Sequence, residues 1–110
     1  MADMLAPTRA RVEPGRLFIN GSFVDALSGA TFNTINPATG AVLTHVAEGR
    51  AEDIDLAVRA ARAAYDNGPW TRKMAAADRA RILWRSSDLL LSHVEELAEL
   101  EALDSGKPIT

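Results

Sequence analysis

The stretch Leu100–Ile109, LEALDSGKPI, decides how the chain is interpreted, because it fits more than one structure. Its Gly106-Lys107 pair resembles the end of a phosphate-binding loop. Such a loop requires a glycine five residues before the pair, so that backbone amides surround the phosphates, and a Ser or Thr after the lysine to bind magnesium. The sequence has Glu101 and Pro108 at these positions, so it does not encode this loop.

The end of a helix explains most of the same stretch. Gly106 supplies a left-handed C-terminal cap, Lys107 lies near the negative helix end, and Pro108 prevents the helix from continuing. Asp104 does not fit, because a carboxylate in the last turn faces the unfavourable end of the helix dipole and needs a compensating partner. A residue that breaks a local rule is a candidate for function.

Upstream of this stretch, the hydrophobic pattern predicts three helices. Apolar residues recur at intervals of three and four, as on one face of an amphipathic helix. We predict helices over roughly 51–67, 75–91 and 93–104, the first of which ends at Asn67-Gly68-Pro69.

The first half of the chain is β-rich. Asn20-Gly21 lies between two apolar runs and favours a hairpin with a type I′ turn, because both residues tolerate positive φ. Strands are predicted over Thr31–Ile35, which ends before Asn36-Pro37, and over 41–46. Residues 1–16 are predicted to form a flexible leader. The expected fold class is therefore α/β, with a β-hairpin and a β-rich start followed by about three helices.

Composition sets the limits of this prediction. The chain has 110 residues, of which 47% are hydrophobic and 25% charged, so it is at most one globular domain with a modest core. A net charge of −3 gives no reason to expect a nucleic-acid or anionic-membrane partner. No apolar run is long enough to cross a bilayer, and the leader does not resemble a secretion signal, which favours a cytoplasmic protein. The absence of cysteine excludes a cysteine nucleophile within these residues.

Other residues that could carry chemistry have structural explanations. His45 and His93 are isolated, without a partner at the spacing of zinc ligands. Trp70 and Trp84 are expected to anchor a core or a domain contact rather than to stack on bases. The basic residues lie among carboxylates and indicate a solvated helix face. They are Arg72, Lys73, Arg79, Arg81 and Arg85.

Four segments, taken in order and spacing, resemble the N-terminal portion of an aldehyde dehydrogenase. They are TFNTINPATGAVLTHVAEG, EDIDLAVRAARAAYDNGPWTRKM, DRARILWRSSDLL and EELAELEALDSGKPI. The resemblance runs from Leu17 to Ile109 and includes Asn36-Pro37, Gly68-Pro69-Trp70 and 103–108. Within the superfamily, the segments are most similar to betaine-aldehyde and phenylacetaldehyde dehydrogenases.

The resemblance implies an oxidoreductase that converts an aldehyde to a carboxylic acid with NAD or NADP as hydride acceptor. In this family a cysteine thiolate attacks the aldehyde carbonyl, and a glutamate activates water to release the acyl group. These groups lie outside the chain, which has no cysteine and no G-x-G-x-x-G. Residues 17–110 would be the N-terminal part of the dinucleotide-binding domain. No catalytic or cofactor-binding residue is therefore predicted here, and the full-length protein is expected to be a homodimer or homotetramer acting on a small aldehyde.

One functional element of the family maps onto this chain. Many relatives hold a potassium or sodium ion, and the resemblance assigns its ligands to the main-chain carbonyls of Thr34 and Ile35 and to Asp104. Hard cations favour oxygen ligands, and one carboxylate with carbonyls suits a single positive charge. The alternative is a structural role for Asp104 as an acceptor of backbone N–H bonds.

Two points remain open from the sequence. The family usually opens the second helix with a Ser/Thr-Pro-x-Glu capping box, whereas this chain has Ala75 to Asp78, so the helix start is expected to fray or to depend on tertiary contacts. The alternative to an enzyme is a stand-alone, non-catalytic α+β interaction module.

Overall fold

The computed structural model describes residues 12–109, which form four strands followed by four helices. The strands are β1 Leu17–Ile19, β2 Ser22–Val24, β3 Thr31–Ile35 and β4 Val42–Ala47, and the helices are α1 Ala51–Asn67, α2 Pro69–Arg72, α3 Ala76–Ser92 and α4 Val94–Ser105. The predicted order of β-rich start and helices is confirmed. The ends of the three predicted helices lie within one residue of those observed.

The first strands form the predicted hairpin. Asn20 and Gly21 have φ of 54° and 78°, the left-handed values that a type I′ turn requires at both central positions. The turn pairs β1 with β2 antiparallel and sets Phe18 opposite Phe23, with ring centroids 5.0 Å apart. A tilted aromatic pair at this separation adds to the stability of the two-stranded ribbon.

β3 and β4 form a second antiparallel pair, and a residue of the predicted leader joins its edge. The Gly15 N–H donates to the His45 carbonyl at 2.9 Å, and the Ala47 N–H donates to the Gly15 carbonyl at 2.8 Å. A Cβ at position 15 would lie against Val46 Cγ1, so the close approach of the two backbones requires glycine. Residues 1–11 of the predicted leader lie outside the described residues.

A short helix that the sequence pattern did not predict follows α1. Pro69 opens α2, as proline often does at the first helical position, because its missing N–H would have no partner there. Two side chains then bond to carbonyls at the end of α1: Thr71 Oγ1 donates to Tyr65 at 2.7 Å, and Arg72 Nε to Asp66 at 2.6 Å. Arg72, one of the basic residues expected on a solvated face, therefore caps the C-terminal end of α1.

The start of α3 is held by local bonds. The Asp78 carboxylate accepts the Ala75 N–H at 3.2 Å, which is one half of a capping box. Ala75 has no side-chain oxygen to supply the other half. Arg79 Nη1 also donates to the Met74 carbonyl at 3.0 Å, which ties the first turn of α3 to the segment before it. The helix start therefore keeps one half of the box and one further side-chain bond.

The modest core expected from the composition is absent from the described residues, and this prediction is wrong. Among residues 12–109, Ala26 is the buried apolar residue, and the structure measures 55 × 37 × 17 Å. A thickness of 17 Å corresponds to little more than one layer of helices, whereas a core forms between two packed layers. Trp84 accordingly remains 76% exposed.

Exposed apolar side chains are most numerous on α3. Three apolar pairs with a spacing of seven residues lie on three sides of the helix, and all six side chains are exposed. They are Ile82 and Leu89, Leu83 and Leu90, and Trp84 and Leu91. An apolar surface this wide is typical of a helix that is buried on more than one side. No helix of the described residues is long and apolar enough to cross a membrane.

The corner between α1 and α2 gives a first testable prediction. The Gly68 N–H donates to the Ala64 carbonyl at 2.8 Å, and a Cβ at position 68 would collide with that same oxygen. Gly68→Ala in the full-length protein is expected to lower the free energy of unfolding by about 1–3 kcal/mol, because the backbone must move apart. The thermal unfolding midpoint, compared at one heating rate, measures the effect.

Gly49→Ala is the matched control for this substitution. The nearest atom to a Cβ at position 49 is Leu17 Cδ2 at 3.5 Å, an ordinary contact. This variant is expected to match the parent or to gain up to about 1 kcal/mol through the unfolded state. Equal midpoints for the two variants would contradict the proposed collision.

Candidate functional site

The turn between β3 and β4 is held together by its own hydrogen bonds. Asn36 Oδ1 accepts the Ala38 N–H at 2.9 Å, and the Asn36 carbonyl accepts the Gly40 N–H at 2.7 Å. Gly40 has φ of 76°, which an L side chain rarely adopts. The chain therefore leaves β3 in a fixed direction immediately after Thr34 and Ile35.

A β-bulge in β4 lies opposite the two residues assigned as carbonyl ligands. Thr34 is opposite Thr44 but Ile35 is opposite Val42, so Leu43 has no partner on β3. Thr34 Oγ1 also donates to the Thr44 carbonyl at 3.4 Å. Because a bulge interrupts the regular ladder and bends the strand that carries the extra residue, the pairing of β3 with β4 is irregular at Thr34 and Ile35.

The C-terminal end of α4 confirms the helix stop that the sequence predicts. Gly106 has φ of 76° and donates its N–H to the Ala102 carbonyl at 2.9 Å. Ser105 Oγ donates to the Glu101 carbonyl at 2.7 Å and accepts the Lys107 N–H at 3.4 Å. The stretch is therefore a capped helix end, with the left-handed residue where the sequence places it.

Asp104 is exposed at this helix end. Within residues 12–109, its carboxylate has neither a hydrogen bond nor an ion pair, and α4 has no basic residue in its last turn. A carboxylate close to the negative end of the helix dipole makes this region attractive to a cation. The alternative role for Asp104, as an acceptor of backbone N–H bonds, has no counterpart among the described contacts.

The structure brings the end of α4 to the turn that follows β3. A Cβ at Gly106 would lie 2.9 Å from Pro37 Cγ. Gly106 is two residues after Asp104, and Pro37 is two residues after Ile35, so the three assigned ligands belong to segments that meet. No hydrogen bond links Asp104 to Thr34 or Ile35 in the described part of the chain. The ligand atoms assigned to the site are all oxygen, which suits a hard cation.

The other titratable groups among residues 12–109 do not form a buried cluster. His93 Nδ1 lies 3.4 Å from Glu96 Oε2, and both side chains are exposed. Residues 12–109 contain no group of three His, Cys, Asp or Glu side chains that could hold a metal ion. The remaining notable group is Asp53, which is buried and accepts two backbone N–H bonds. The sequence analysis missed this role, because only the short spacing to Arg50 could have indicated a capping carboxylate.

Comparisons with known proteins agree over nearly the whole chain. A family described as "Aldehyde dehydrogenase family" matches residues 23–110. "Aldehyde dehydrogenase family 2 member B4, mitochondrial" of Arabidopsis thaliana is 53% identical over 107 residues, covering 97% of this chain and 20% of that protein. "Benzaldehyde dehydrogenase, mitochondrial" of Antirrhinum majus is 57% identical over 97 residues, covering 88% of this chain and 18% of that protein.

A solved structure shows the same likeness. "NAD+ complex structure of aldehyde dehydrogenase from Bacillus cereus" has a TM-score of 0.81 and 53% sequence identity, and the match covers 84% of this chain and 18% of that one. The chain thus spans about a fifth of the length of the relatives that it matches.

The meeting of α4 with the β3–β4 turn gives a second prediction. Gly106 and Gly40 both have φ of 76°, but a Cβ at Gly40 has no atom within 4 Å. Gly40→Ala is expected to cost about 1–2 kcal/mol, the penalty of a left-handed L residue. Gly106→Ala is expected to cost at least about 1 kcal/mol more, because it also pushes against Pro37.

The difference in unfolding free energy between the two variants reports the contact of residue 106 with Pro37, because both variants carry the same penalty for a left-handed backbone. Thermal unfolding of the full-length protein measures it. If Gly40→Ala destabilises the protein as much as Gly106→Ala, the end of α4 does not pack on Pro37.

Proposed function

Since the chain belongs to the aldehyde dehydrogenase family, we propose that it is part of an oxidoreductase that converts an aldehyde to a carboxylic acid with NAD or NADP as hydride acceptor. The observation that carries the proposal is 53% identity sustained over 107 residues to an aldehyde dehydrogenase. The NAD+ complex of the Bacillus cereus enzyme, with the same fold over this region, supports NAD as the acceptor.

The proposed contribution of this chain is structural. The sequence has no cysteine to act as nucleophile and no G-x-G-x-x-G to approach a dinucleotide. The groups that react with the aldehyde would therefore lie elsewhere in a longer polypeptide. Residues 17–110 would supply the first part of the dinucleotide-binding domain, and residues 1–16 its leader.

A stand-alone interaction module is the alternative. The exposed apolar side chains of α3 favour it, because large exposed apolar surfaces mark binding sites. The same surface is expected if the chain packs against the remainder of an enzyme. Sequence identity to dehydrogenases over 97% of the chain favours the enzyme.

The enzyme proposal predicts a simple activity. The full-length protein, mixed with a panel of aliphatic and aromatic aldehydes, is expected to form NADH or NADPH, detected by absorbance at the reduced nicotinamide band. Omission of the aldehyde is the control. Reduction of neither cofactor by any aldehyde, in a preparation that is folded by circular dichroism, would favour the interaction module instead.

We further propose that Thr34, Ile35 and Asp104 bind a potassium or sodium ion. The support consists of the bulge in β4 opposite Thr34 and Ile35, the Asp104 carboxylate, which has no partner among residues 12–109, and the close approach of Gly106 to Pro37. A bound cation would stabilise the end of α4 against the turn after β3, because it attracts both the carboxylate and the carbonyl dipoles.

Cation binding predicts a salt-specific gain in stability. At a concentration ten times the dissociation constant, K⁺ or Na⁺ is expected to stabilise the full-length protein by about 1.4 kcal/mol relative to a bulky organic cation at equal ionic strength. Asp104→Ala is expected to lose this gain. The thermal midpoint, titrated against each salt, measures it.

Asp88→Ala is the matched control, because Asp88 is also exposed on a helix but lies away from the turn. This variant is expected to keep the full response. Equal stabilisation of Asp104→Ala and the parent by K⁺ and Na⁺ would contradict the assignment.

Further properties of the whole protein are proposed on the same premise. It acts on a small aldehyde, functions as a homodimer or homotetramer, and has neither nucleic acid nor membrane as a partner. A cytoplasmic location rests on the composition of residues 1–16, whereas relatives of this chain carry the word mitochondrial in their names. A specific likeness to betaine-aldehyde and phenylacetaldehyde dehydrogenases remains a prediction from the sequence motifs.

A further inference from the structure

Asp53 joins two parts of the chain that are distant in sequence. Its Oδ2 accepts the Arg50 N–H at 2.9 Å and so caps the first turn of α1. Its Oδ1 accepts the Leu27 N–H at 2.9 Å, from the segment that follows β2. Only 3% of Asp53 is exposed, and the neighbour of Leu27 is Ala26, the buried apolar residue of the described chain. Each carboxylate oxygen therefore serves a different element.

Apolar packing between the hairpin and α1 is loose. A solvent-open groove of about 450 Å³ runs along their junction. Its apolar walls come from the hairpin segment on one side and from α1 on the other. They include Ile19, Val24, Leu27, Leu56, Ala60 and Ala63. Because Leu27 and Leu56 remain 66% and 42% exposed, apolar burial contributes little here, and the bonds of a charged carboxylate to backbone N–H groups are a large share of the attachment.

We propose that the Asp53 carboxylate is a clamp that docks the β1–β2 hairpin on α1, so that loss of its charge releases residues 17–27 while α1 stays helical. Asp53 acts as a positioning residue, since its carboxylate accepts two backbone N–H bonds from residues of this chain. This attachment of the hairpin does not depend on the proposed activity.

The charged side chains around Asp53 are paired with one another, so its main partners are the two backbone N–H donors. The Arg50 side chain acts on Asp53 through its charge and is itself paired with Glu48 at 3.1 Å. Arg59 is paired with Asp55 at 2.8 Å, and Asp25 with Arg16 at 3.0 Å. The N–H groups of Arg50 and then Leu27 lower the pKa of Asp53 below its ordinary value of 3.8. The clamp is therefore fully formed above that value and is lost as the pH falls through the lowered pKa.

Hydrogen exchange of the full-length protein, followed by mass spectrometry, tests the clamp. In Asp53→Asn one amide oxygen remains as acceptor, while the NH₂ group faces an N–H donor, so at most one of the two bonds survives. Residues 17–27 are expected to exchange about tenfold faster, whereas residues 57–67 keep their parental rate. Asp55→Asn, an exposed neighbour in the same turn, is the control and is expected to leave residues 17–27 unchanged.

Asp53→Glu separates the two roles and does not depend on the behaviour of the asparagine variant. Glutamate is the usual residue at this position of a capping box, so it keeps the cap on Arg50, but its longer side chain moves the carboxylate away from Leu27. Faster exchange in residues 17–27 with a protected α1 supports the clamp. Parental exchange of residues 17–27 in both variants, or equal acceleration of the hairpin and α1, would overturn it.

Discussion

The described structure is held mainly by hydrogen bonds at the ends of its elements rather than by a buried apolar core. Burial of apolar surface is normally the dominant favourable term in folding. Here Ala26 is the buried apolar residue of residues 12–109, and the molecule is 17 Å thick. The positions of the elements therefore depend on caps and turns, such as those made by Asp53, Asp78 and Gly106.

The elements that the sequence predicts correctly are those with local causes. Asn20-Gly21 tolerates the left-handed values of a type I′ turn, so the hairpin could be predicted from two adjacent residues. The bounds of α1 follow in the same way from apolar periodicity and from the stop at Gly68. The pattern does not reveal α2, because Asn67-Gly68-Pro69 indicates the end of one helix, although proline also begins helices.

Features with distant causes could not be predicted from the residues. The bond from Leu27 to Asp53 spans 26 positions, and the pairing of Gly15 with Val46 spans 31. Neither has a local pattern. Asp104 stands out in the sequence because it breaks a local rule. The meeting of its helix end with the turn after Ile35, seen at Gly106 and Pro37, has no local signal and follows only from the resemblance to a family. The prediction of a modest core was wrong because composition gives the number of apolar residues but not whether other elements pack against them.

The apolar sides of α3 have a consequence for synthesis. A polypeptide as long as the relatives of this chain would carry these side chains for on the order of tens of seconds before the rest was translated, at typical rates of about 5–20 residues per second. Six large apolar side chains in three stacked pairs would then be open to wrong contacts. This exposure would end only when later segments covered the three apolar sides of the helix.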